Sequence, residues 1–181
     1  MKESELTKGE KMHEAEVALR LAFYLLDLSN GQSHANIALD GMHHHAFPIP
    51  TFLHEKGWHR ENSQGAFYGS YTRKDKTLTI KSVQGFDVQV TCDGRNIKAE
   101  CKGGALGAIK GKGPTIILAE AIGQAIASGL ATPEEELWVA VPDSPKFENA
   151  GARIIRSPVF ARTGIKIALV GKNGVRLLRN V

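Results

Sequence analysis

Residues 85–104 read GFDVQVTCDGRNIKAECKGG. Asp93-Gly94 stands between two alternating runs, and this dipeptide favours a type I′ turn because both central positions must take positive φ. With those two residues as the turn, Cys92 faces Arg95, Val90 faces Ile97, Val88 faces Ala99 and Asp87 faces Glu100. Side chains alternate faces along a strand. Val88, Val90, Cys92, Ile97, Ala99 and Cys101 therefore make one apolar face. Asp87, Gln89, Thr91, Asn96, Lys98, Glu100 and Lys102 make the other.

This register places two carboxylates directly across from each other, with Cβ atoms roughly 4.5–5.5 Å apart. Lys102, two residues beyond Glu100, points the same way. Opposed like charges destabilise a strand pair, and a divalent cation between them reverses the sign of that interaction. A half-buried hairpin with a solvated polar face has the same pattern, so the register by itself leaves both readings open. Cys92 and Cys101 fall near opposite ends of the hairpin, too far apart for a disulfide.

Outward from the hairpin, the chain alternates strand and helix signals. Residues 10–28 read as a helix, with Val17, Leu21, Tyr24, Leu25 and Leu28 at helical spacing and Asn30-Gly31 as its stop. Residues 31–65 read as an irregular, histidine-rich excursion with one short helical turn. FYGSYT from Phe67 and TLTIKSV alternate as strands around a turn at Lys74-Asp75-Lys76. Residues 103–113, GGALGAIKGKG, read as a flexible basic loop. Pro114 opens a helix with body TIILAEAIGQAIASG, closed by Gly129. LWVAV, 137–141, is a buried strand, and 145–157 reads as a further helix. IKIALV at 165–170 and GVRLL at 174–178 form a hairpin around Asn173-Gly174. The economical reading is a single α/β domain spanning 1–181.

Composition fits that reading. The chain has 181 residues, 42% hydrophobic and 23% charged, ordinary for a globular domain with its own core. No apolar run reaches the ~20 residues of a membrane span. The polar start, MKESELTKGEKMHEAE, is unlike a secretory signal. Two cysteines make no disulfide framework. A cytoplasmic setting is the resulting expectation. The net charge of +4 and pI of about 9.1 permit a polyanionic partner without requiring one.

Asp87 and the tripeptide Glu100-Cys101-Lys102 resemble the signature of the PD-(D/E)xK nuclease superfamily, the restriction-endonuclease-like fold. That signature is an acid at the start of one strand and Glu/Asp-x-Lys on the next. Phe86 stands where the motif's name has proline. The superfamily core of helix, three strands, helix and strand (αβββαβ) is similar to the order read here over residues 10–141, less the excursion. The resemblance implies a mixed β-sheet flanked by helices and a Mg²⁺- or Mn²⁺-dependent endonuclease acting on DNA. Asp87, Glu100 and the Cys101 carbonyl would be the metal ligands, hard oxygen donors suited to those ions. Lys102 would orient the attacking water or stabilise developing charge. Several branches also carry a glutamate on the first helix and a glutamine on the second. Glu14 or Glu16 would be the former, Glu14 preferred because Val17, Ala18 and Leu21 follow it on one face. Gln124 would be the latter. Two subunits often cut two strands, so a homodimer is compatible.

Lys110 and Lys112 in the glycine loop, with Lys98 and Arg95, are candidate nucleic-acid contacts. Arg60, Arg73 and Lys74 could extend a basic track. The loop is not a P-loop: Leu106 stands where the pattern needs its first glycine and Gly113 where it needs Ser or Thr. His43, His44 and His45, with His54 and His59, fit no standard zinc spacing. The competing expectation is a nuclease-fold subunit that binds nucleic acid or a protein without cutting.

Overall fold

Both turn residues take the positive φ that their dipeptide predicts, 48° at Asp93 and 74° at Gly94. In the computed structural model, which describes residues 11–40, 46–62, 65–82, 85–106, 113–128, 132 and 134–179, the hairpin has the expected register. Val88 pairs with Ala99, Val90 with Ile97 and Cys92 with Arg95. These strands, β6 (Val88–Cys92) and β7 (Arg95–Cys101), lie at the middle of a mixed sheet. The other strands, in chain order, are β1 (Lys11–Met12), β2 (Ser33–Ala38), β3 (His59–Arg60), β4 (Gly69–Arg73), β5 (Lys76–Lys81), β8 (Gly104–Ala105), β9 (Glu135–Pro142), β10 (Lys166–Val170) and β11 (Val175–Leu177). Among the described residues the large sheet has nine strands, ordered β11-β10-β9-β7-β6-β2-β5-β4-β3, and β1 pairs separately with β8.

The helices are α1 (Glu14–Leu28), α2 (Ile49–Glu55), α3 (Pro114–Ser128), α4 (Pro145–Ile155) and the one-turn α5 (Pro158–Ala161). Helix α1 covers one face of the sheet. Val17, Leu21 and Leu25 are fully buried, with Ala35, Ile37, Leu78, Ile80, Val88 and Val90 in the same cluster. Burying each such leucine or isoleucine contributes roughly 1.5–3 kcal/mol relative to leaving it in water. Leu28, at the helix end, is 46% exposed, so the apolar stripe stops a turn earlier than its spacing predicts. On the opposite face, α3 and α4 cover the β9–β10 half and α3 reaches β7, through Leu118, Ala121, Ala125, Phe147 and Ala150 against Val139, Val141, Ile167 and Leu169. The architecture is α/β, a large mixed sheet flanked by helices.

Two expectations need correction. The 31–65 stretch is not an excursion, because β2 sits inside it and pairs with both β5 and β6. SHANIA carries only one large apolar residue, and small side chains suffice beneath α1, so its alternation was faint. The 103–113 loop is also partly ordered: Met12 pairs with Gly104 and Lys11 with Ala105. The helix predicted from residue 10 accordingly begins at Glu14, since Lys11 and Met12 are used as strand. The Gly129 stop lies outside the described residues.

The C-terminal end of α1 is held by a cation. Lys76, 8% exposed, donates to the Ser29 carbonyl at 2.6 Å and the Gly31 carbonyl at 3.3 Å. It satisfies carbonyls that have no partner within the helix and opposes the negative end of the helix dipole. The Ser29 hydroxyl donates to Asp93 at 2.8 Å, which docks the hairpin turn on the same helix end. No helix among the described residues is long and apolar enough to cross a membrane.

Candidate active site

Three chain segments meet at the open end of the β6–β7 hairpin. Asp87 immediately precedes β6, and its carbonyl accepts from the Ala38 amide at 3.0 Å. Its carboxylate Oδ2 accepts from the backbone N–H of Cys101 at 2.7 Å. In a regular ladder that N–H would reach a carbonyl on β6. Here the acid takes it, and the ladder ends at Val88–Ala99. The N–H and C=O of one strand residue point to the same side, so the Cys101 carbonyl faces the gap that Asp87 occupies.

Glu100 lies on the polar face yet is only 5% exposed. Burial raises its pKa to about 7, the Asp87 charge pushes the same way, and the Glu14 charge and a hydrogen bond to Asp87 add to it; Lys102 opposes them. The two carboxyls thus act on each other, and Glu100 favours holding its proton up to about neutral pH. The Lys102 ammonium lies 3.6 Å from the Glu14 carboxylate at the first turn of α1. Glu16 pairs instead with Arg20 at 2.7 Å, so of the two helix acids Glu14 is the one brought to this group. The Cys101 thiol is buried on the apolar face, and burial pushes its pKa well above the usual thiol value. It has no nucleophile's environment.

The approach of α1 to β7 depends on Gly103. A Cβ there would meet the Glu14 amide nitrogen at 2.7 Å and the Met12 carbonyl oxygen at 2.8 Å. Both are backbone atoms in the β1–α1 junction and cannot rotate away. Gly103→Ala is therefore expected to cost about 1–3 kcal/mol and to move Glu14 away from Lys102. Denaturant titration checks this; an unchanged midpoint would mean that the junction relaxes without strain.

The remaining candidates divide. Gln124 is exposed on α3, whose buried positions are Leu118, Ala121 and Ala125. It makes no hydrogen bond with the acid group. Lys98 pairs with Glu135 at 2.6 Å and sits over the Phe86 ring. Arg95 pairs with Glu136 at 2.7 Å. Arg95 first, with Lys166 and Trp138, holds the Glu136 carboxyl down at about 2. Both expected nucleic-acid contacts are thus already engaged by acids of β9. Arg60 donates to the carbonyls of Asn62, Gly65 and Tyr68, and Arg73 pairs with Asp27 beside Phe23 and Trp58. These two arginines brace structure and make no basic track. His54 and His59 are exposed. Lys110, Lys112 and His43–His45 lie outside the described residues.

Among the described residues no three His, Cys, Asp or Glu side chains are grouped closely enough to hold a metal. Any ion at Asp87 and Glu100 would complete its shell from backbone oxygen and water. Glu14 was expected at the site through the resemblance, but its ion pair with Lys102 and the close approach at Gly103 were not. The adjacent glycines Gly103-Gly104 were their only local signal. No protein-family model, curated protein or solved structure matches the chain.

Proposed function

We propose that this chain is a metal-dependent nuclease of the PD-(D/E)xK, restriction-endonuclease-like type, hydrolysing phosphodiester bonds in DNA. One observation carries the reading: Asp87, just ahead of β6, and Glu100 on β7 share one buried site in which the Asp87 charge helps raise the Glu100 pKa, with the Lys102 ammonium paired to Glu14 beside them. Paired carboxylates in contact are costly to bury. A site that uses them has a reason to keep them. The order helix α1, strands through β7, helix α3 and strand β9 supports the same reading.

The donor set fits a hard divalent cation. Two carboxylates and one backbone carbonyl leave positions for water, as Mg²⁺ prefers. Such an ion, when bound, supplies charge neutralisation on the phosphate and acidifies water. The chain's own residues do the rest. Asp87 holds the Cys101 peptide in place, which aims the Cys101 carbonyl. Glu100, with its raised pKa, can take up a proton near neutral pH. Lys102 can donate to a phosphate oxygen or to the water that attacks it. Glu14 restrains the flexible lysine, so less rotamer freedom is lost when it engages substrate.

The test is cleavage of plasmid and linear duplex by purified protein in Mg²⁺, Mn²⁺ or EDTA. Cutting should require the metal, and Lys102→Ala should lower it by roughly a hundredfold or more. Cutting in EDTA, or a Lys102→Ala variant as active as the parent, would overturn the assignment. Metal-independent binding with no cutting would point to a non-catalytic subunit.

A further inference from the structure

The half of the sheet not covered by α3 and α4 presents a polar face continuous with the acid pair. Directly opposed residues share a face, so the register defines its rows. In one row stand Asn96, Thr91, His34, Thr77 and Thr72. In the next stand Lys98, Gln89, Asn36, Thr79 and Ser70. The row beyond begins with Glu100 and Asp87 and ends at Ala38 and Lys81. Ala38 is the one apolar side chain of the three rows, and no aromatic lies among them. Strand spacing of about 4.8 Å makes each five-strand row about 19 Å wide.

At the far end of this face the surface sinks into a cavity of about 390 Å³, lined by Gln32, Ser33, His34, Lys74, Thr77 and Thr91. Asp75 also lines it and lies 3.9 Å from the Lys76 ammonium. Ser33 turns its hydroxyl to the opposite side of the sheet, toward α1, in line with Lys76 and Ala35. Gln32, His34, Lys74 and Thr77 make no side-chain hydrogen bond or ion pair among the described residues. Unspent donors converging on a cavity are what a polar ligand would satisfy. From Asp87 to Thr91 the strand advances four residues, about 13 Å, the axial rise of about four base pairs of B-form duplex.

We propose that this face is the platform for duplex DNA, and that the cavity at Gln32, His34, Lys74 and Thr77 is a subsite for a backbone phosphate about four base pairs along the duplex from the bond at Asp87. The proposal rests on the nuclease reading for its direction, from acid pair to cavity. Hydroxyls, amides and a lysine are the groups that position a sugar–phosphate backbone. A protein partner would call for an apolar centre, and a single strand for aromatic stacking platforms. The face has neither.

Binding separates this proposal from the nuclease reading. A labelled duplex is titrated by fluorescence anisotropy in EDTA, where no cutting occurs. Thr77→Glu and Lys74→Glu should each weaken binding at least about tenfold, and Lys74→Ala should reduce the salt dependence by about one phosphate. Hydrogen exchange of the unaltered protein should show added protection in β2 and β5 when duplex is present. Unchanged affinity in both Glu variants, no protection in β2 and β5, tighter binding of single strand than of duplex, or failure of the parent to bind duplex would each overturn it. A parent that binds through this face but never cuts would overturn the nuclease reading alone.

Discussion

Asp87→Asn should reduce metal-dependent DNA cleavage by roughly two to three orders of magnitude while leaving the fold intact. The asparagine oxygen can still accept the Cys101 N–H that Asp87 now takes at 2.7 Å, so the backbone of β7 keeps its partner. What is lost is the negative charge and the hard ligand. The size follows from mutational losses when one charge-stabilising group is removed from a site. Asp87→Ala has the same chemical defect plus an unsatisfied amide, a further cost of about 1–3 kcal/mol in stability. The two variants therefore separate function from folding: both inactive, only the alanine form destabilised. An Asp87→Asn protein that cuts at the parent rate would remove Asp87 from the reaction altogether.

Stability without divalent metal should fall as pH rises from about 5 to about 7.5. Glu100 has its pKa raised from 4.5 to about 7, first by burial and then by Asp87. The folded state therefore binds more protons than the unfolded chain in this window, and stability declines with pH. The contribution is fully present below the unfolded value and lost once pH passes the folded one. The difference between 4.5 and about 7 corresponds to about 3 kcal/mol. Glu136, held at about 2, has the opposite sense, its contribution being lost only in strong acid. Urea midpoints at pH 5, 6, 7 and 8 in EDTA measure the slope, and Glu100→Gln should flatten it. Saturating Mg²⁺ should restore stability at pH 8 and do little at pH 5, where protonated Glu100 has no charge to offer it. A flat parental profile would mean that Glu100 is not confined beside Asp87.

The hairpin was legible because its signals are local. Asp93-Gly94 dictates the turn, and period-two alternation fixes which side chains share a face, down to the buried and exposed pattern of β6. Helix α3 was legible from Pro114 and its apolar body. Strand β2 was not. Ser33, Ala35 and Ile37 are small or few enough to read as loop, and their burial comes from α1 and from strands distant in sequence. Arg95 and Lys98 looked free because their partners, Glu136 and Glu135, arrive only when β9 docks parallel to β7. Lys102 meets Glu14 for a similar reason, since no spacing rule links a strand end to the start of a helix so far away in the chain. Charge partnership is a tertiary property, and sequence reveals it only where both charges sit on one element.

Strand β2 lies between β5 and β6, both of which follow it in the chain. A nascent polypeptide must therefore extend past Cys92 before SHANIA gains its second neighbour. Until then at least one edge of that segment is open to other chains. Synthesis of this protein therefore passes through an interval in which an interior strand of its sheet has an unpaired edge, and a chaperone that shields the segment before the hairpin emerges would cover that edge.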